Sequence, residues 1–114
     1  MTPTTRREAK LHAVSIRIDG KKFVYTTPDN PDATTIVVQK GDRVKWNCGH
    51  GNYSILFKNE SPFTGIGAHG RRGADTEVLD IVGKPGSYKY AVNVVLADGP
   101  VVDDPEIIVG GGGD

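Results

Sequence analysis

The chain has 114 residues, the length of a single domain, and a chain of this size buries roughly two-thirds of its unfolded surface without needing staples. Its 14 basic and 14 acidic residues cancel, so no sequence-wide field is present to hold a phosphate backbone or an anionic bilayer, and neither nucleic acid nor membrane is an expected partner. One Cys excludes an intramolecular disulfide.

The opening Met1-Thr2-Pro3-Thr4-Thr5-Arg6-Arg7-Glu8-Ala9-Lys10 is charged and no apolar segment follows it. It does not read as a signal peptide, and no run approaches the ~20 apolar residues of a membrane span. The expectation is a cytoplasmic protein as written, unless a leader has been removed. Asn52-Tyr53-Ser54 and Asn59-Glu60-Ser61 match the glycosylation tripeptide, and without a secretory signal they are expected to be unused.

Fifteen Gly and seven Pro punctuate short β-prone runs, and no segment keeps a helical period. Residues 1–9 read as a flexible tail. Leu11 to Ile18 alternates Val14, Ile16 and Ile18 with Ser15 and Arg17, the period-2 mark of a half-buried strand. Asp19-Gly20-Lys21-Lys22 turns the chain into Phe23-Val24-Tyr25, and two prolines make residues 28–32 a loop. Thr35 to Gln39 is the next strand, followed by a tight turn at Lys40-Gly41-Asp42.

Val44 and Trp46 then point one way, Arg43 and Lys45 the other. Tyr53, Ile55 and Phe57 form the next apolar set. Residues 59–75 read as a long irregular, Gly-rich loop, a length that is usually functional or mobile. Glu77 to Val82 reads as a short strand and Gly83-Lys84-Pro85-Gly86 as a turn. Ser87 to Leu96 is the longest strand, with Tyr88, Tyr90, Val92, Val94 and Leu96 inward and Lys89 and Asn93 outward. Asp98-Gly99-Pro100 turns it, Pro105 opens the closing strand 106–109, and 110–114 is a Gly-rich tail. About seven strands at this spacing predict an all-β, Greek-key antiparallel sandwich over residues 10–109.

The pattern resembles a cupredoxin, the plastocyanin and azurin type of sandwich. The resemblance rests on Ile36-Val37-Val38-Gln39-Lys40-Gly41-Asp42-Arg43-Val44-Lys45-Trp46, on Tyr53-Ser54-Ile55-Leu56-Phe57, on Pro85-Gly86-Ser87-Tyr88-Lys89-Tyr90, and on Ile107-Ile108-Val109. It covers roughly residues 35 to 109. The late strands also resemble immunoglobulin-like domains, because any sandwich requires that alternation.

A blue-copper site needs two imidazoles, a thiolate and a weak axial ligand, often Met. The resemblance implies one His at the start of the strand that here begins Asn52-Tyr53, with Cys, His and Met after the strand Tyr88 to Val92. No Cys and no His follows His69, and the only Met is Met1. Type 1 copper is therefore excluded by the ligand set, and no cofactor is expected.

Cys48-Gly49-His50 remains the sharpest constellation. A thiolate and an imidazole close together suit copper(I) or zinc, with His69 as a third ligand if the two loops share one end of the sandwich. A buried Cys beside a solvated His is the plainer reading. A Cys48 nucleophile paired with either His would need an oriented third group, and no signature surrounds it.

Gly65-Ile66-Gly67-Ala68-His69-Gly70 matches the dinucleotide fingerprint in letters but lacks the strand before it and the helix after it. Arg71 and Arg72 after these glycines suit an anion-binding turn. Asp98, Asp103, Asp104 and Glu106 lack calcium-loop spacing and read as edge charges. Exposed members of the Tyr and Trp set would suit a protein interface.

The expected function is a non-enzymatic binding module. Another protein is its partner, and loops 47–52 and 59–75 are its surface, with Asn52, Tyr53, Arg71 and Arg72 as contacts. The alternative is a non-blue metal carrier using Cys48, His50 and His69.

Overall fold

The computed structural model describes residues 9–110. The alternating stretches form strands, and ten are present among the described residues: β1 (Leu11–Asp19), β2 (Lys22–Thr26), β3 (Thr35–Val38), β4 (Arg43–Cys48), β5 (Tyr53–Phe57), β6 (Gly67–Gly70), β7 (Leu79–Asp80), β8 (Gly86–Leu96), β9 (Gly99–Asp103) and β10 (Glu106–Val109). They make two facing sheets. One has the order β2-β1-β4-β7, the other β3-β10-β8-β5-β6 with β9 also on β8. The chain passes from one sheet to the other at β2–β3, β3–β4, β4–β5, β6–β7 and β7–β8.

Each sheet turns one side of its pleat to the other, so every second residue meets the core. Val44, Trp46 and Cys48 of β4, Tyr53, Ile55 and Phe57 of β5, and Tyr88, Tyr90, Val92 and Val94 of β8 are all buried, as alternation predicts. Trp46 sits at the centre, edge-on to Phe63 at 5.9 Å and to Tyr90 at 5.6 Å. Phe57 packs against Phe63 and Tyr90 at 5.5 and 5.1 Å. Such offset aromatic pairs each add about 1 kcal/mol beyond the area they bury. The Trp46 Nε1–H donates to Tyr90 Oη at 3.3 Å, so the indole leaves no buried donor unpaired.

Five expectations are corrected. There are ten strands, not about seven, and the sheets are mixed: β1 runs parallel to β4, and β3 parallel to β10. Alternation reports which residues face inward but carries no information on strand direction. Residues 59–75 are not one irregular loop, because Gly67–Gly70 pairs with β5 and Phe63 enters the core. The strand expected at 77–82 is ladder-paired only at Leu79–Asp80, against Val44 and Arg43. The turn expected at Asp98-Gly99-Pro100 falls at Ala97-Asp98, and Gly99 and Pro100 already belong to β9. The two tails, apart from Ala9 and Gly110, lie outside the described residues.

β8 keeps one register with β9 and β10 across a two-residue break. Leu96 faces Gly99, Val92 faces Asp103, and beyond the break Lys89 faces Glu106. Only Asp104 and Pro105 drop out of strand geometry, and even there the Tyr90 N–H donates to Pro105 O at 3.1 Å. Pro105 has no N–H to return. Residues 86–109 are thus a single long hairpin with Ala97 and Asp98 at its tip.

At the opposite end, Asp42 ties the sheets together. It is fully buried. Its carboxylate accepts from Lys10 N–H at 3.0 Å, Gln39 N–H at 3.0 Å and His12 Nε2 at 2.9 Å. The same residue's main chain receives the Ile81 N–H at 2.8 Å. One side chain therefore fixes the β3–β4 turn to the start of β1.

Candidate interaction surface

The loop that leaves β4 and the turn that follows β6 meet at one end of the sandwich. Gly73 N–H donates to Cys48 O at 2.8 Å, Thr76 N–H to Trp46 O at 2.9 Å, and Arg72 N–H to Asn52 Oδ1 at 2.9 Å. Asn47 Nδ2 donates to Gly73 O at 3.1 Å and to Asp75 Oδ1 at 2.8 Å. Lys45 Nζ reaches Asp75 at 2.8 Å. The Lys45 ammonium, and after it the Asn47 amide, hold the Asp75 carboxyl below the usual carboxylate range. Residues 71–74 close as a turn, with Ala74 N–H on Arg71 O at 2.9 Å. The two loops expected to form the working surface do converge, but only through 70–76. Residues 61–66 pack elsewhere, with Pro62 O accepting from Val82 and Gly83.

Tyr53 is placed beneath this surface. It is buried, 3 % exposed, and its hydroxyl donates to the carbonyl of Trp46 at 2.7 Å, with the Ala74 carbonyl also in reach. Burial pushes the phenol up to about 12, aided by Asp75 and Cys48. Tyr53 therefore holds the turn in place. Tyr53→Phe should cost about 1 kcal/mol in chemical denaturation and loosen residues 72–76 selectively in amide exchange; unchanged exchange there would contradict this role.

Asn52 is exposed and fixes the backbone of Arg72 through its amide oxygen. Arg71 and Arg72 are both exposed. Arg72 Nε donates to Gly49 O at 3.1 Å, which pins the arm of the guanidinium while its outer edge faces solvent. Neither arginine has a carboxylate at ion-pair distance among the described residues.

Cys48 is fully buried and free, on the core side of β4 with Trp46 and Val44. His50 is exposed in the loop, and His69 is exposed on β6 opposite Ser54, beside the inward-facing Ala68. The thiol thus faces the core from one sheet, while the His69 imidazole faces solvent on the other. Among the described residues, no group of three or more His, Cys, Asp or Glu is placed to hold a metal. The acidic residues near the last turn are likewise dispersed. Asp103 accepts from Tyr25 at 2.9 Å, Asp104 pairs with Lys58 at 2.7 Å, and Glu106 takes the Ser87 hydroxyl.

The glycines of residues 65–70 answer to packing. A Cβ at Gly67 would lie 2.2 Å from Ile55 O, so the close approach of β6 to β5 requires glycine. No helix follows, which removes the dinucleotide reading.

With this geometry established, solved structures provide the comparison. Two amicyanin variants, both in the Cu(I) form, superpose with a TM-score of 0.50 at 17% identity, covering 86% of this chain and 82% of theirs. A chain of a heme-copper terminal oxidase dimer superposes with a TM-score of 0.51 at 16% identity, covering 96% of this chain and 76% of that one. The fold is cupredoxin-like. No protein-family model matches the sequence, and no curated protein is significantly similar to it.

The residues present do not fit the copper of that fold. In the bend just before β5, Gly51 is buried, and a Cβ there would stand 2.0 Å from Val95 O, which leaves no room at that position for an imidazole-bearing residue. After Val92, where the resemblance puts the remaining ligands, the ladder runs straight on into β9 and offers Asn93, Val94, Val95 and Leu96 in paired strand. Neither thiolate nor imidazole is present there. Ligand chemistry and backbone course give the same answer, and no type 1 copper site is visible among the described residues. Among the described residues, no helix is long and apolar enough to cross a membrane.

Proposed function

We propose that this protein is a non-enzymatic recognition module on a cupredoxin-like scaffold, with another protein as its partner. The observation that carries the reading is the pair of exposed guanidinium groups of Arg71 and Arg72, without a carboxylate at ion-pair distance among the described residues, on a turn bonded to Cys48, Gly49 and Asn52. A fixed turn loses little entropy on binding, and arginine forks match carboxylates bidentately. The surface suits an acidic segment of the partner. The buried Cys48 thiol plays no part in it.

Titration with a capped oligoglutamate peptide tests this at low ionic strength. The amides of 49–52 and 71–74 should shift on binding, and Arg71→Ala with Arg72→Ala should weaken the peptide at least tenfold, about 1.4 kcal/mol. Cys48→Ser should bind as wild type does. Equal binding by wild type and the double arginine variant would overturn the assignment.

A further inference from the structure

A second surface lies at the other end of the molecule. Leu11 is in register with Arg43, where β4 begins, whereas Cys48, beside the arginine turn, ends it. There β2 stops at Thr26, pairing with β1 only from Ser15 onward, and the chain crosses to the other sheet through residues 27–34. The crossing leaves an open cleft of about 460 Å³ bounded by Lys10, Leu11 and His12 of one sheet, the turn at Thr27–Asn30, and Thr35–Val37 of the other.

One wall of the cleft is an edge strand, because β3 pairs only with β10 among the described residues. Glu106 N–H donates to Thr34 O and Gly110 N–H to Val38 O, so the even-numbered residues of β3 turn their main chain toward β10. Alternation then turns the N–H and C=O of Thr35 and Val37 the other way, toward the cleft. Two residues apart, these groups match the repeat of an added strand.

Sheet edges are usually blunted by proline, charge or shortness. Here β9 carries Pro100 and Asp103, β7 has 2 residues, and β2 begins at Lys22. Thr35-Ile36-Val37-Val38 has no such guard, and Val37 is 61 % exposed. The cleft's chemistry narrows the occupant. Its two charged groups that reach solvent, Lys10 and Asp29, already close on each other at 2.8 Å, and His12 is held by Asp42. Leu11, Pro28, Ile36 and Val37 supply apolar wall, and Thr27 and Thr35 supply hydroxyls.

We infer that this cleft receives an uncharged, extended peptide segment of a partner protein, rich in β-branched residues, which adds as a strand to the free edge of β3. Inward side chains of the segment would lie between Leu11 and Ile36, and outward ones beside Val37. The site does not depend on the arginine turn.

The test uses the full chain and a short capped peptide of alternating threonine and valine, followed by amide NMR. The expected result is slowed exchange at the amides of Thr35 and Val37, with shifts at Leu11 and Asn30. Val37→Pro removes an edge N–H but no bond to β10, so it should fold and bind the peptide at least tenfold more weakly, about 1.4 kcal/mol. A peptide N-methylated at alternate residues on its pairing edge should fail against the wild type, which keeps the test decisive if the proline variant does not fold. Undiminished binding by the N-methylated peptide, shifts confined to other strands, or concentration-dependent pairing of two copies through β3 in place of peptide binding would each overturn the proposal.

Discussion

Replacing Asp42 with Ala should destabilise the protein by about 4 kcal/mol, because it removes a buried carboxylate that several donors share. Lys10 and Gln39 would lose main-chain acceptors, and His12 its partner. Water reaches the vacated site poorly, since Asp42 is fully buried. Losses of this size come from a short list of causes, and stripping a buried polar network is one of them. Guanidinium denaturation of wild type, Asp42→Ala and Asp42→Asn would measure it. The Asn variant should fall between the other two, because it keeps one acceptor and sets an N–H₂ against existing donors. A loss below about 1 kcal/mol for Asp42→Ala would mean the knot is not what joins β1 to the β3–β4 turn.

The second large effect is alkaline unfolding. Tyr25 and Tyr90 are buried, and burial raises both phenols far above their ordinary value, with the Asp103 carboxylate adding to the effect at Tyr25. The sign follows from proton binding. Below pH ~10 both states keep these protons and stability does not depend on them. Above it the unfolded chain releases them and the folded chain does not, so stability falls as pH rises. Two such groups give about 3 kcal/mol per pH unit. Tyr53, raised to about 12, steepens the fall further.

A domain with ordinary stability should therefore unfold cooperatively before pH ~12. Denaturation midpoints measured between pH 9 and 12 would show the slope, and Tyr25→Phe should reduce it. Tyrosine absorbance that titrates without loss of the fold would contradict the burial argument.

What the sequence made legible follows from which physical signals are local. In β4, β5 and β8 the alternation of bulky apolar residues predicted the inward set: Val44, Trp46, Tyr53, Ile55, Phe57, Tyr88, Tyr90, Val92 and Val94 are buried, and Leu96 at the end of β8 is half-buried against the core. The strand Gly67–Gly70 escaped because Gly-Ala-His-Gly has no β-branched residue, and its pairing depends on how closely β5 lies. Strand β9 was hidden by Pro100, which an edge tolerates. Phe63 gave no periodic signal because it is an isolated core residue in a bend.

The loop placement was legible only in part. Of the stretch 59–75 read as one loop, only residues from 70 onward lie beside loop 47–52, and Arg71 and Arg72 are exposed there. Tyr53 differs from its expected role because its β-strand phase turns it inward, where its hydroxyl donates to the Trp46 carbonyl with that of Ala74 also in reach. The cleft at β3 had no sequence signal at all. It arises from where β2 stops relative to β1, a property of register.

The most direct test of the arginine turn as the working surface is affinity capture from the source cell, using wild type, Cys48→Ser and a variant joining Arg71→Glu to Arg72→Glu. Thermal melts first establish that all three are folded. A partner held by wild type and Cys48→Ser but lost from the charge-reversed variant, with the wild-type complex weakened by salt as exposed ion pairs are, is the predicted result. A partner retained equally by the charge-reversed variant would contradict it.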